Sequence, residues 1–287
     1  MLLPMFIGFA MFTIYPILWV IRWAWFDYVG YGQPDFVGVD NFIRAFTRDK
    51  NFWNALLNTF YLAAMKLIIE MPLAIILAWF VNNRVKGSSI FRIIFFLPTI
   101  FSLAVIGLIF SILFSAYNGI INAFLVHFNI ISQNINWFGT RWGALTVVLV
   151  VSLWSTFGLN MIYFLMGLQN IPKELYECSM IDGASGVKQF FHITLPLLAP
   201  VMQIVFMLSL LGTMKIADLI LVMTNGQPGG TTEVVMTYIF KLYFKYGDAN
   251  GITQFGYGSA LAVITAMILA ALTGVYLHYS KRMKNIY

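Results

Sequence analysis

Six stretches of the chain read as long apolar runs separated by more polar intervals: Leu2–Phe26, Leu56–Val81, Ile93–Ala116, Gly143–Leu168, Leu197–Met223 and Gly256–Tyr279. Each reaches or exceeds the roughly 20 residues that a helix needs to cross bilayer hydrocarbon. Charge inside them is sparse: Arg22, Lys66, Glu70, Lys215 and Asp218. The two-residue alternation of a membrane β-strand is absent, and a helix satisfies its own backbone in lipid. The pattern predicts an all-α membrane protein of about six transmembrane helices, forming one domain over residues 1–287. The first run lacks a basic leader and is too long for the core of a signal peptide, so it is expected to be a membrane span.

The intervals are unequal in charge. Asn82–Arg92, Gln169–Pro196 and Ser280–Tyr287 together hold eight Lys and Arg, including Arg84, Lys86, Lys281, Arg282 and Lys284. The longer intervals Asp27–Ala55, Tyr117–Trp142 and Thr224–Phe255 hold six, Lys245 among them. Basic residues flank spans on the cytoplasmic side, which predicts a multi-pass protein of the cell membrane with both termini cytoplasmic. The opposite intervals hold Trp53, Trp137 and Trp142, as expected of short interfacial helices.

Composition follows from this pattern. The chain is 60% hydrophobic and 10% charged, against about 25% charged in soluble domains. The net charge of +6 reflects cytoplasmic lysine and arginine, so no nucleic-acid partner is expected. The single cysteine, Cys178, permits no intrachain disulfide. The histidines, His127, His192 and His278, do not cluster, and no metal site is expected.

One cytoplasmic interval is too long and too apolar for a simple connector. In residues 171–196, Pro172 suits a first helical position, Gly183 a C-cap at positive φ, and Ser185 the N-cap of a second helix through Phe191. A helix–turn–helix is expected, exposing Leu175, Ile181, Phe190 and Phe191 to a protein partner.

The spacing Glu177-Cys178-Ser179, three residues, Gly183, nine residues, Ile193-x-Leu195-Pro196 is similar to the EAA motif of ABC-importer permeases. Cys178 and Ser179 stand where that family prefers alanine, and Asp182-Gly183-Ala184 resembles its Asp-Gly-Ala. The blocks Gly38–Phe42, Phe91–Pro98, Gly167–Pro172, Thr224–Pro228 and Phe255–Ala260 resemble carbohydrate-type permeases, kin of the maltose and glycerol-phosphate transporters; the stretch Lys245–Thr253 is longer than theirs.

The resemblance implies the type I ABC-importer permease architecture, with residues 171–196 as the loop coupled to an ATPase. Glu177, Cys178, Ser179, Asp182, Gly183 and Ala184 are then the coupling residues. It implies as partners two cytoplasmic ATPase subunits, a second permease (a related chain as a rule, a second copy as the alternative) and an extracytoplasmic solute-binding protein. The chain has no Gly-x-x-x-x-Gly-Lys-Ser/Thr phosphate loop, so ATP and magnesium are expected on the ATPase subunits, with no cofactor and no enzyme activity here.

Ser209, Thr213 and Ile216 share one face of the fifth run at helical spacing. In the fourth, Ser155, Thr156, Leu159 and Tyr163 do the same, with Trp154 and Asn160 beside them. Hydroxyls and aromatic faces suit a sugar, and these positions resemble those lining the sugar site of the maltose-transporter permease, where only Ser209 keeps the residue type. The alternative is that they only pack helices closely. Lys66 and Glu70 are expected to pair along one helix, and Lys215 and Asp218 to pair with each other or with another helix. The resemblance, whose family often has a lysine and an aspartate in this stretch, implies a structural gate there.

The function expected is an ATP-driven, binding-protein-dependent carbohydrate importer. An ATP-independent carrier or channel subunit is the alternative, predicting broken helices with ionisable sites at mid-membrane. An intramembrane serine protease lacks a serine–histidine pair within reach.

Overall fold

The structure is a computed structural model describing residues 2–82, 87–244 and 253–284, with side chains to residue 280. Arg84, Lys86 and the interval Lys245–Ile252 lie outside the described residues, as do the side chains of Lys281, Arg282 and Lys284.

The elements run in order α1 (Leu3–Trp23), β1 (Phe26–Asp27), β2 (Asp35–Phe36), α2 (Asp40–Thr47), α3 (Lys50–Asn82), α4 (Ser88–Ile100), α5 (Leu103–Leu113) and α6 (Ile120–His127). There follow α7 (Arg141–Gln169), α8 (Lys173–Ile181), α9 (Gly186–Leu197), α10 (Ala199–Met214), α11 (Asp218–Met223), α12 (Val235–Phe244) and α13 (Phe255–Lys284). Strands β1 and β2 form one antiparallel pair, Phe26 opposite Phe36. Four helices are long and apolar enough to span a membrane alone, and six spans result if each bent pair counts as one.

Helices α3 and α7 make the most extensive contact in the molecule. Along α3 the buried positions Ala55, Leu62, Ala63, Lys66, Glu70, Ala74 and Ala78 recur at helical spacing. Many are small, which lets backbones approach where lipid supplies no hydrophobic drive. A close approach is made at Gly158 of α7, where a Cβ would stand 1.7 Å from the Phe95 carbonyl oxygen of α4. Toward one end of the α3–α7 pair, Leu62, Leu145 and Val148 pack with Leu219 and Ile220 of α11. Toward the other, Ala74, Phe164 and Leu165 pack with Leu198. Helix α1 buries none of its own residues and lies along α13.

Two of the expected runs are not single helices. The stretch 93–116 bends by 95° between α4 and α5, where Phe101 and Ser102 are extended. Pro98, just before the break, removes a backbone donor from the helical ladder. The stretch 197–223 bends by 66° between α9 and α10, at Leu198 between Pro196 and Pro200, and breaks again at Lys215–Ala217. Prolines are also answered by wider turns. Just before Pro16, the Tyr15 N–H reaches back to the Ala10 carbonyl, and just before Pro196, Leu195 N–H reaches Phe190. Both are π-turns, which carry the chain past the missing donor.

Polar contacts tie the segment after α11 to α3. Asn58 Nδ2 donates to the Thr231 and Glu233 carbonyls at 2.8 and 2.7 Å, while Arg141 Nη2 donates to Asn58 Oδ1 at 2.6 Å. Tyr238 and Tyr257 both donate to the Asp49 carboxylate. Burial, then the Asp49 charge, pushes the Tyr238 phenol pKa up.

Candidate functional site

Two places carry the residues singled out above. The first is the hairpin of α8 and α9. Pro172 is the N-cap of α8, extended at φ −58° and ψ 133°, so the helix starts one residue later than expected. Gly183 sits just past the C-cap at φ +77°, a region costly to residues with a Cβ. The Ser185 hydroxyl accepts from Lys188 N–H at 3.5 Å, so α9 starts where expected. It runs beyond Phe191, through the π-turn, to Leu197.

The two arms brace each other. Gln189 Nε2 of α9 donates to Ser179 Oγ at 2.8 Å and to the Tyr176 carbonyl at 3.2 Å on α8, and the Tyr176 and Thr194 hydroxyls bond at 2.9 Å. Ser179, one of the two departures from the alanine pattern, thus gives the turn a hydrogen bond that alanine cannot make. Glu177, Cys178, Asp182 and Gly183 are exposed, and Ala184 is half-buried. Leu175, Phe191 and Ile181 face outward, Ile181 at 86% exposure. Phe190 does not: it turns inward against Trp79, ring centroids 6.0 Å apart. Its position on the inner side of α9 decides this, because the hairpin must also seat on the ends of α3 and α7.

The second place is a half-open cavity of about 350 Å³ among α3, α7, α10 and α11, a size ordinary for small-ligand sites. Ser155, Thr156, Leu159, Asn160, Tyr163, Ser209, Thr213 and Ile216 all line it. Trp154 does not; it is on the outer side of α7 against Phe110, ring centroids 5.2 Å apart. Ile216 does not continue the face of α10, which ends at Met214; it reaches the cavity from the break.

The cavity hydroxyls are largely committed. Ser155 donates to the Ser152 carbonyl at 2.9 Å, Thr213 to the Ser209 carbonyl at 2.8 Å, and Asn160 Nδ2 to Ser209 Oγ at 2.8 Å. Thr156 donates to Glu70 Oε1, with the Ser152 carbonyl also within reach at 3.0 Å. The free capacity of Ser155, Thr156 and Thr213 is therefore in lone pairs, while Ser209 and Tyr163 keep an O–H to donate.

The expected Lys66–Glu70 pair is not formed: among the described residues the one ion pair is Lys241–Glu233. Glu70 is fully buried, bonded to Thr156 and turned out of the cavity lining. Lys66, only 5% exposed, lines the cavity instead. Lys215 and Asp218 flank the break, both exposed and unpaired with each other, and both line the cavity. The signal that could have placed Lys66 here is its share in the buried stripe of α3, one turn from Leu62 and Glu70.

Residues 70–285 match the family model described as the binding-protein-dependent transport system inner membrane component. The arabinooligosaccharides transport system permease protein AraP of Bacillus subtilis (strain 168) is 31% identical over 285 residues, covering 98% of this chain and 88% of that protein. The trehalose/maltose transport system permease protein MalF of Thermococcus litoralis is 30% identical, covering 96% of this chain and 91% of that one. The lactose transport system permease protein LacF of Rhizobium radiobacter is 30% identical, with the same coverages. A solved bacterial ABC transporter involved in import of the acidic polysaccharide alginate superposes with a TM-score of 0.84 at 22% identity, over 98% of this chain and 94% of that one. At that identity the likeness is one of fold.

Proposed function

The chain belongs to the binding-protein-dependent transport system inner membrane component family, and from that premise we propose that it is the membrane permease through which an ATP-driven importer moves a carbohydrate into the cytoplasm. The observation that carries this reading is the braced, outward-facing hairpin of α8 and α9 at the spacing of an ATPase-coupling loop. The relatives named for arabinooligosaccharides, trehalose/maltose and lactose support a carbohydrate as cargo.

In this reading Glu177, Cys178, Ser179, Asp182, Gly183 and Ala184 form the tip seated in an ATPase subunit, with Ile181 and Leu175 as its apolar contacts. ATP and magnesium belong to two such subunits. A second permease completes the pathway, and a solute-binding protein docks on the opposite face. Both termini and the hairpin lie on the cytoplasmic side, supported by the basic residues around them. The cavity is the substrate path in this chain.

Broken helices with an ionisable side chain between them, the mark of the ATP-independent alternative, occur here as well. They therefore do not discriminate, and the family match favours the ATP-driven reading.

The test is Gly183→Asp in the importer reconstituted with its ATPase, second permease and binding protein. The expected result is normal insertion with uptake lost or ATP hydrolysis uncoupled from it. Co-purification of the ATPase together with accumulation at the normal rate sinks the coupling assignment.

A further inference from the structure

Lys66 is a buried ammonium without a partner at the wall of the cavity. It is 5% exposed, and it makes no hydrogen bond or ion pair with a described residue. A charge at this depth is expensive in a membrane protein, and such residues mark pathways. The Glu70 carboxylate, one helical turn away, attracts it without forming an ion pair, and its one recorded bond is to Thr156. The remaining charged groups on the lining are Lys215 and Asp218 at the break. Two lysines and one aspartate thus line the cavity, with Glu70 bonded to Thr156 and off the lining.

The hydrogen-bond inventory has the same sense. Ser155, Thr156 and Thr213 have donated their protons and offer lone pairs, which suits the hydroxyl donors of a sugar, while Ser209 accepts from Asn160 and keeps its own O–H. The lining donors left for a substrate's anionic oxygens are the Ser209 and Tyr163 hydroxyls and two ammonium groups, of which Lys66 is the buried one and supplies three N–H groups, while Lys215 is exposed at the break. We propose that Lys66 selects for a carbohydrate bearing a carboxylate, its ammonium meeting that anion while the hydroxyl wall accepts from the sugar ring. This rests on the carbohydrate-import reading above. Lys66 is then a specificity residue on the path. A cargo carboxylate would give its ammonium the direct contact that Glu70 does not make.

The test uses the complete importer in proteoliposomes, supplied with trigalacturonate or with its carboxyl-reduced trisaccharide. Binding-protein affinity for each is measured separately, so that uptake is compared at equal occupancy. The wild type is expected to take up trigalacturonate about tenfold or more faster, the scale of one charge-assisted hydrogen bond. Lys66→Met should bring trigalacturonate down to the rate of the reduced sugar without altering co-purification of the second permease, and Lys66→Arg should keep the preference. Equal uptake of the two sugars by the wild type overturns the proposal, as does a Lys66→Met importer that keeps the preference. So does loss of assembly in Lys66→Met that Lys66→Arg restores without any charge preference, since Lys66 is then a contact to the second permease. If neutral trisaccharides move and trigalacturonate does not, this inference falls and the carbohydrate reading stands. If no carbohydrate moves and none stimulates ATP hydrolysis, the underlying reading falls.

Discussion

The α8–α9 hairpin and the cavity among α3, α7, α10 and α11 are both polar intrusions into an apolar chain, and they are built by opposite means. The hairpin is local. One glycine at φ +77°, one serine cap and a brace from Gln189 to Ser179 specify it within 25 residues of chain, and Leu175, Ile181 and Phe191 point away from the molecule. The cavity is assembled from segments far apart in sequence, joined by bonds such as Thr156–Glu70 and Asn160–Ser209, and its helix α7 also packs on α4 through the close approach at Gly158. A local device can change without disturbing the rest. A device shared among helices is coupled to the stability of the whole.

That contrast can be broken most severely at Gly158. Gly158→Ala places a methyl 1.7 Å from a backbone carbonyl, so α4 and α7 must separate. A loss of about 3 kcal/mol is expected, read as a lower Tm of the detergent-purified protein. Gly212→Ala, with nothing within 4 Å of the new Cβ, serves as the neutral comparison on the cavity itself. Next is Thr156→Val, which strips the one bonded oxygen of fully buried Glu70. It should cost about 2 kcal/mol of global stability, part of it recovered in the double variant with Glu70→Gln. A Tm unchanged in Thr156→Val means that Glu70 finds another partner. Smaller still is Gly183→Ala, worth about 1 kcal/mol through the positive φ. Here the loss should be confined to the hairpin: hydrogen exchange rises in residues 173–197 while the global Tm holds. Smallest is Ser185→Ala, about 0.5 kcal/mol for an exposed cap with a long 3.5 Å bond, again visible only as local exchange. If either hairpin variant lowers the global Tm as much as Thr156→Val, the division between local and shared devices fails.

The same contrast explains what the sequence made legible. The turn at Gly183 and the cap at Ser185 depend on backbone rules that act over four residues, so they could be read directly, as could the number of apolar runs. Phe190 was misread as exposed because its burial depends on Trp79, more than a hundred residues away in the chain. Lys66 was misread as half of a pair because a membrane span is apolar on all sides. In a soluble helix the polar face reveals which side is out; in lipid the buried and lipid-facing sides look alike. The 95° bend after Pro98 and the break at Lys215–Ala217 were hidden within runs whose composition alone suits one continuous helix.

The bend at Leu198 has a mechanical corollary. Helix α10 continues from the inner arm of the hairpin and ends at Met214, with Ser209 and Thr213 near its far end. Its 16 residues span about 24 Å at 1.5 Å per residue. A tilt of about 10° pivoting at Leu198 sweeps that end through roughly 4 Å, enough to exchange one set of hydrogen-bond partners for another. Pro196 and Pro200 bracket the pivot, so the bend needs no intact helical ladder to be lost when it flexes. By this geometry, a small displacement at the hairpin end of the segment would reach the Ser209 and Thr213 hydroxyls magnified.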